Sequence, residues 1–205
     1  MPLQNRVSPF GELFADSSRG SSFGNRGGKF HRDDKTLGPR RHVSRAWICC
    51  VLSFKGRQRD VWGRYYTELF FMDEPTALAA GHRPCFECRR ADATAFAEKV
   101  SGRGERKRAG EMDLILHRER LEKDRRTKRL HPVSLDDLPD GAFVSLGGNE
   151  SFAVKGRLLL RWSPGGYTEA VARPSGRAMM LTPPLITKAL ARGYEPHWHE
   201  SISSL

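Results

Sequence analysis

Long apolar runs are missing from this sequence. No stretch approaches 18 consecutive apolar residues, so nothing in it reads as a membrane span. Cysteine is scarce, four in 205 residues, which excludes a disulfide-dense scaffold. With no signal peptide at residues 1–10, that scarcity predicts a reducing cytoplasm. The common signatures of nucleotide and hydrolase chemistry are also missing: GxxxxGK[ST], GxGxxG after a strand, GxSxG and HExxH. A Glu-x-Lys of the restriction-nuclease kind occurs only at Glu105-Arg106-Lys107, inside a linker where no strand would hold it. An enzyme made from this chain must therefore assemble its site from scattered residues. Acid is in short supply against base, 24 Asp+Glu to 35 Lys+Arg, for a formal charge of +11. Such a balance points to a polyanionic partner, nucleic acid before a membrane surface.

The excess charge is localised. Residues 1–60 carry 12 Lys/Arg against 5 acids, residues 101–130 carry 11 against 6, and the remainder is near neutral. With 38% hydrophobic content the chain is long enough to bury a core as one domain or two small ones. Four segments are expected: a basic arm over 1–45, a metal-associated core over 46–100, a basic linker and helix over 101–130, and a β meander with a C-terminal helix over 131–205.

The densest local signals lie in 66–100. A strand-like run ends at Phe70-Phe71, Asp73 or Glu74 takes a helix cap, and Pro75 suits the first turn. Ala77 to Ala80 propagate that helix, and Gly81 stops it. Cys85 and Cys88 follow in a Pro-Cys-x-x-Cys turn that directs both thiolates to one point, and a second helix covers about 91–100. A CxxC of this kind is half of a zinc knuckle or a redox pair, inert buried thiols being the plain alternative. A thioredoxin-like site needs a βαβ unit, which is not evident here.

Phe70-Phe71, the short helix, and the run Ala80-Gly81-His82-Arg83-Pro84-Cys85 to Cys88-Arg89 resemble the second half of the Ada-type zinc-binding domain. The likeness covers about 25 of the 205 residues. It implies zinc held by cysteines, docking on the DNA backbone, and one cysteine able to accept a methyl group from phosphotriesters. The first half of that family's pattern, a C-x3-C, is missing: this chain has Cys49-Cys50, with Ser53 and Phe54 four positions further on. The whole chain is also similar to a group of small bacterial proteins, among them one described as a bacterial apoptosis endonuclease. Endonuclease activity is an expectation drawn from that similarity, not from residue spacing.

Residues 46–54 form a strong strand, turned by Lys55-Gly56-Arg57 toward Val61-Trp62. Adjacent strand residues point to opposite faces, so one of Cys49 and Cys50 can meet the CxxC. A fourth ligand would come from His82, His31 or His42; the expected zinc set is Cys85, Cys88, Cys50 and His82. In the arm, Gly27-Gly28 offers backbone N–H groups to an anion, with Arg26, Lys29 and Arg32 around it. Arg83, Arg89 and Arg90 flank the CxxC and are expected on DNA with them.

A helix is predicted over 111–124, with Asp113 and His117 one turn apart. This pair either holds a divalent ion such as Mg²⁺ or Mn²⁺ for phosphodiester hydrolysis or is an ordinary i,i+4 surface pair. Glu68, Asp73 and Glu87 are further carboxylate candidates. Arg125, Arg126, Lys128 and Arg129 make the helix end a phosphate rail. From 142 the period shifts to two, predicting strands over 142–146, 151–154, 158–162 and 167–171. Thr182 is expected to cap a last helix ended by Gly193, and His197-Trp198-His199 to fray or chelate. The expected fold is α+β: a zinc-associated ββαα core, an antiparallel meander and a capping helix. The expected function is DNA binding, with endonuclease activity as its specific form. A non-catalytic zinc regulator or adaptor is the alternative, and a methyl acceptor using Cys49 or Cys50 the third reading.

Overall fold

Asp73 sits where a helix cap is needed. Its backbone is extended and its Oδ1 accepts from Thr76 N at 2.9 Å, starting helix α1 (Glu74–Ala79). Gly81 ends that turn with φ +85°, a left-handed conformation that favours glycine. In the computed structural model, which describes residues 1–205 apart from Arg59, Arg103 and Gly104, α1 lies between two six-stranded sheets. Among the described residues there are three further α-helices, α2 (Arg90–Ser101), α3 (Ala109–Arg120) and α4 (Pro184–Ala191), and the fold is α+β.

The first sheet contains β1 (Arg6–Val7), β2 (Leu13–Phe14), β3 (Ser22–Asn25), β4 (Ile48–Val51), β5 (Leu69–Phe71) and β6 (Arg83–Pro84), in the order β2-β1-β5-β3-β4-β6. Residues 1–45 are therefore not an arm. They supply three strands, and β3 is buried between β4 and β5. Hydrophobic spacing is weak there because two-residue strands are too short to show a period. The expected hairpin from 55–57 to Val61-Trp62 is also replaced. β4 ends at Val51, and among the described residues 52–68 no strand forms. Trp62 instead turns inward at φ +57°, stacks on His31 and donates from its indole to Glu68 O at 3.0 Å.

The second sheet is antiparallel throughout and carries the meander. Strands β8 (Phe143–Ser145), β9 (Phe152–Lys155), β10 (Leu158–Ser163) and β11 (Gly166–Ala172) pair in succession, close to the predicted runs. β12 (Arg177–Met180) returns beside β8, and β7 (His131–Ser134) closes the edge. The sheet packs on α2, α3 and α4 through Phe96, Met112, Leu116, Leu159 and Ile186. α4 starts one residue later than expected, capped at Pro183. Thr182 Oγ1 accepts from Phe143 N at 2.9 Å instead, tying α4 to β8.

The N-terminus of α1 joins the two halves. Tyr167 Oη donates to Asp73 Oδ2 at 2.8 Å, Tyr194 Oη to Glu74 Oε1 at 2.6 Å, and Trp162 Nε1 to Thr76 Oγ1 at 3.0 Å. Buried carboxylates require such partners, since an unpaired one costs several kcal/mol. The C-terminal tail does not fray. His197 N and His199 N donate to Glu74 and Asp73, and residues Glu200–Ser204 form a 3-10 turn. Asp73 is thus a hub of the fold rather than a carboxylate free for catalysis.

Candidate metal centre and basic cleft

Parallel pairing of β4 with β6 sets Cys49 opposite Pro84 in the register. Cys85 N then donates to Cys49 O at 2.9 Å, which brings the CxxC turn against the end of β4. Strand alternation puts the two adjacent cysteines on opposite faces, and this register decides which of them meets the turn. Cys50 turns to the CxxC, and Cys50, Cys85 and Cys88 have their Sγ atoms all within 4.8 Å of one another. Cys49 turns the other way, into the core with Leu69 and Phe71, where burial pushes its thiol up to about 12. Thiolates about 2.3 Å from a tetrahedral ion lie roughly 3.8 Å apart, so the trio fits a metal ion with little adjustment.

Two of the three thiols are biased toward the thiolate. Hydrogen bonding from Cys50, followed by the backbone N–H groups of Cys88 and Glu87, brings the Cys85 thiol down to about 5 against the opposing effect of burial. Cys88 is lowered by the same Cys50 contact and by the Val51 N–H. Cys50, as the shared donor, is raised. No described His, Asp or Glu joins the group. The three cysteines line a cleft of about 640 Å³ with Phe23, Tyr65 and Glu68. Glu68 itself accepts from Trp62 N at 2.7 Å, and Glu87 pairs with Arg57 on the rim at 2.6 Å.

The expected histidine ligands lie elsewhere. His82 is fully buried between Trp47 and Phe71, and its Nε2 faces Arg26 Nε at 3.3 Å. His31 spends its ring nitrogens on Thr67 Oγ1 (2.8 Å) and Gly63 O (3.2 Å). His42 lies tilted against Trp47 and edge-on to His117. Sequence proximity favoured His82, but its ring packs on Phe71, in the cluster that holds Cys49, whereas Cys85 packs with Cys50 and Phe23.

Asp113 and His117 do not form a site together. Both Asp113 oxygens accept from Arg83, Oδ1 from Nε and Oδ2 from Nη2, each at 2.8 Å in a buried ion pair. That carboxylate is not free to hold Mg²⁺ or Mn²⁺. His117 faces the other way, 3.2 Å from Arg120 Nη2, and burial together with Arg120 takes its imidazole down to about 4.

Several predicted DNA contacts are interior. Arg83 is held by Asp113, and Arg89 is buried against Glu74 and Asp92 at 2.7 and 2.8 Å. A guanidinium beside a buried carboxylate is invisible in sequence because the partner lies far along the chain. Arg26 is buried too, and the Gly27-Gly28 step is packed rather than open: a Cβ on Gly27 would sit 1.8 Å from Ser44 Oγ. α3 stops at Arg120, so the basic run is not a helix end. Residues 121–128 form a hairpin, with Leu121 bridged to Lys128. Arg125 and Arg126 are exposed at its tip, Lys128 Nζ turns in to Ala79 O, and Arg129 pairs with Glu122 at 3.3 Å. Arg32 and Arg90 are exposed, and Lys29 is half-buried and pairs with Asp33.

A cleft that no local motif announced lies beside this hairpin. Its volume is about 620 Å³, and Arg26, Trp47, Arg120 and Lys128 line it, with Arg41, Arg125 and Arg126 also in its wall. The Trp47 indole is held between two guanidiniums, Arg26 at 4.0 Å and Arg120 at 3.9 Å from the ring centroid. Only the density of Arg around Trp47 hinted at it in the sequence. No helix of the described residues is long and apolar enough to cross a membrane. Comparison with protein-family models, with curated proteins and with solved structures finds no match to this chain.

Proposed function

We propose that this is a zinc-containing DNA-binding protein of a reducing cytoplasm, in which the metal centre is structural and the basic cleft holds the nucleic acid. The observation that carries the reading is the gathering of the exposed cations Arg41, Arg125 and Arg126 at one cleft whose lining includes a single carboxylate, Glu12. Polyanion binding uses such surfaces, because each neutralised phosphate releases condensed counterions. Zinc is favoured at the other centre by the donor set, since three soft thiolates select zinc over Mg²⁺ or Mn²⁺. When bound it would cross-link β4 to the turn before α2, through Cys50, Cys85 and Cys88. The four free cysteines suit a reducing compartment.

A second reading, DNA endonuclease, is favoured by one observation. The rings of His42 and His117 face each other edge-on, centroids 5.3 Å apart, beside Arg120. Burial, followed by Arg120, lowers both imidazoles and leaves them neutral; His117 Nδ1 accepts from Arg120, so His42 is the ring left to take the proton of an attacking water, with His117 packed against it. Nearby guanidiniums would stabilise charge on the phosphoryl oxygens. His117 keeps a positioning place in this version and Asp113 has none.

The two readings separate on supercoiled plasmid. The purified protein is expected to bind it with a steep salt dependence and leave it intact. Cleavage that persists in EDTA and disappears in His42→Ala would establish the endonuclease. No binding at low salt would overturn both.

A further inference from the structure

Arg26 and Arg120 are cations withdrawn into the interior without carboxylates to match, and the half-buried Lys128 turns its ammonium in beside them. Arg26 is 2% exposed and Arg120 is 0% exposed. Arg26 donates to Gly11 O, Arg41 O and His82 Nε2; Arg120 donates to Gly81 O, Arg45 O and His117 Nδ1; Lys128 donates to Ala79 O. Every one of these acceptors is neutral. The nearest buried carboxylate, Asp113, is already taken on both oxygens by Arg83. Arg120 Nε is buried with no hydrogen-bond partner at all. The Trp47 face softens the cost for both guanidiniums but brings no negative charge.

Buried like charges held together this way repel one another and are costly unless an anion joins them. Desolvation takes Arg26 down to about 9 and lowers Arg120 and Lys128 as well, which is the signature of an uncompensated cluster. A mononegative phosphodiester would offset little of this. A terminal phosphate carries close to two charges near neutrality and three acceptor oxygens. The cleft, at about 620 Å³, is larger than a phosphate needs, and Phe10, Leu13 and Phe14 give it an apolar wall suited to a sugar and base.

We propose that this cleft is a phosphomonoester pocket that takes the terminal phosphate of a nucleic-acid strand, with Arg26, Arg120 and Lys128 at its base and Arg41, Arg125 and Arg126 around it. The proposal rests on the DNA-binding reading and adds the feature of DNA that is recognised.

The test uses the full-length protein and three oligonucleotides of one sequence, bearing a 5′-phosphate, a 3′-phosphate or hydroxyls only, measured by fluorescence anisotropy. One phosphorylated form is expected to bind about tenfold tighter than the hydroxyl form, the effect of one charge-assisted hydrogen bond. Inorganic phosphate should erase that advantage at ionic strengths where chloride does not. Arg26→Met should erase it too; if that variant fails to fold, the exposed double variant Arg41→Ala with Arg126→Ala and the phosphate competition on wild type carry the test. Equal binding of all three oligonucleotides with no phosphate competition overturns the pocket and leaves general DNA binding in place. Thermal stabilisation by inorganic phosphate with no oligonucleotide bound overturns the DNA reading and assigns the pocket to a free phosphate. Neither binding nor stabilisation overturns both.

Discussion

The Arg83 guanidinium donates both Nε and Nη2 to the Asp113 carboxylate at 2.8 Å, joining β6 to α3 in a buried, bidentate pair. Removing one partner leaves the other charged and desolvated. Asp113→Ala should therefore destabilise the protein by about 3–5 kcal/mol in urea denaturation. A variant with unchanged stability would show that the pair is not closed in solution.

The metal centre predicts a contrast between neighbours. Cys50→Ser, Cys85→Ser and Cys88→Ser should each lose metal in elemental analysis and lower the melting temperature, because bound structural zinc contributes directly to folding. Cys49→Ser should keep its metal, since that thiol points into the core on the other face of β4. Equal metal content in all four variants would refute the assignment.

Tyr194 and Glu74 are 120 residues apart and 2.6 Å in contact. Tyr194→Phe removes the hydroxyl with little loss of volume, while Arg89 and the His197 N–H remain on Glu74. The expected cost is about 1–3 kcal/mol, read from denaturant midpoints. A cost near zero would mean that water replaces the hydroxyl.

Acid should weaken the fold at its histidines. His82 is fully buried, and desolvation followed by Arg26 and Arg120 lowers its imidazole well below 6.5. The unfolded chain then binds a proton that the folded chain refuses. Stability is full above pH 6.5 and falls as pH drops below it, at up to about 1.4 kcal/mol per pH unit for one such group. The comparison should be made between wild type and His82→Gln over pH 5–7, so that loss of metal at low pH is common to both. Identical slopes would show that His82 is not held neutral.

Local rules were sufficient wherever a few adjacent residues carry the whole instruction. Asp73, Pro75 and Gly81 delimit α1, alternating apolar residues delimit the meander from Phe143 to Ala172, and the CxxC turn follows from Pro84. The α+β class and the CxxC pair were legible for that reason, and Cys50 was named as the third thiol from strand alternation, which leaves Cys49 an equal candidate. The choice of Cys50 over Cys49 needed the parallel register of β4 with β6, which no local pattern encodes. The same holds for charge. Sequence shows that Arg26, Arg83, Arg89 and Lys128 are basic, but whether a cation meets solvent or a distant partner depends on Asp113, Glu74 and carbonyls brought in by the fold. Long-range pairing decides desolvation, and desolvation decides whether a charged residue is a surface contact, a structural ion pair or the base of a pocket.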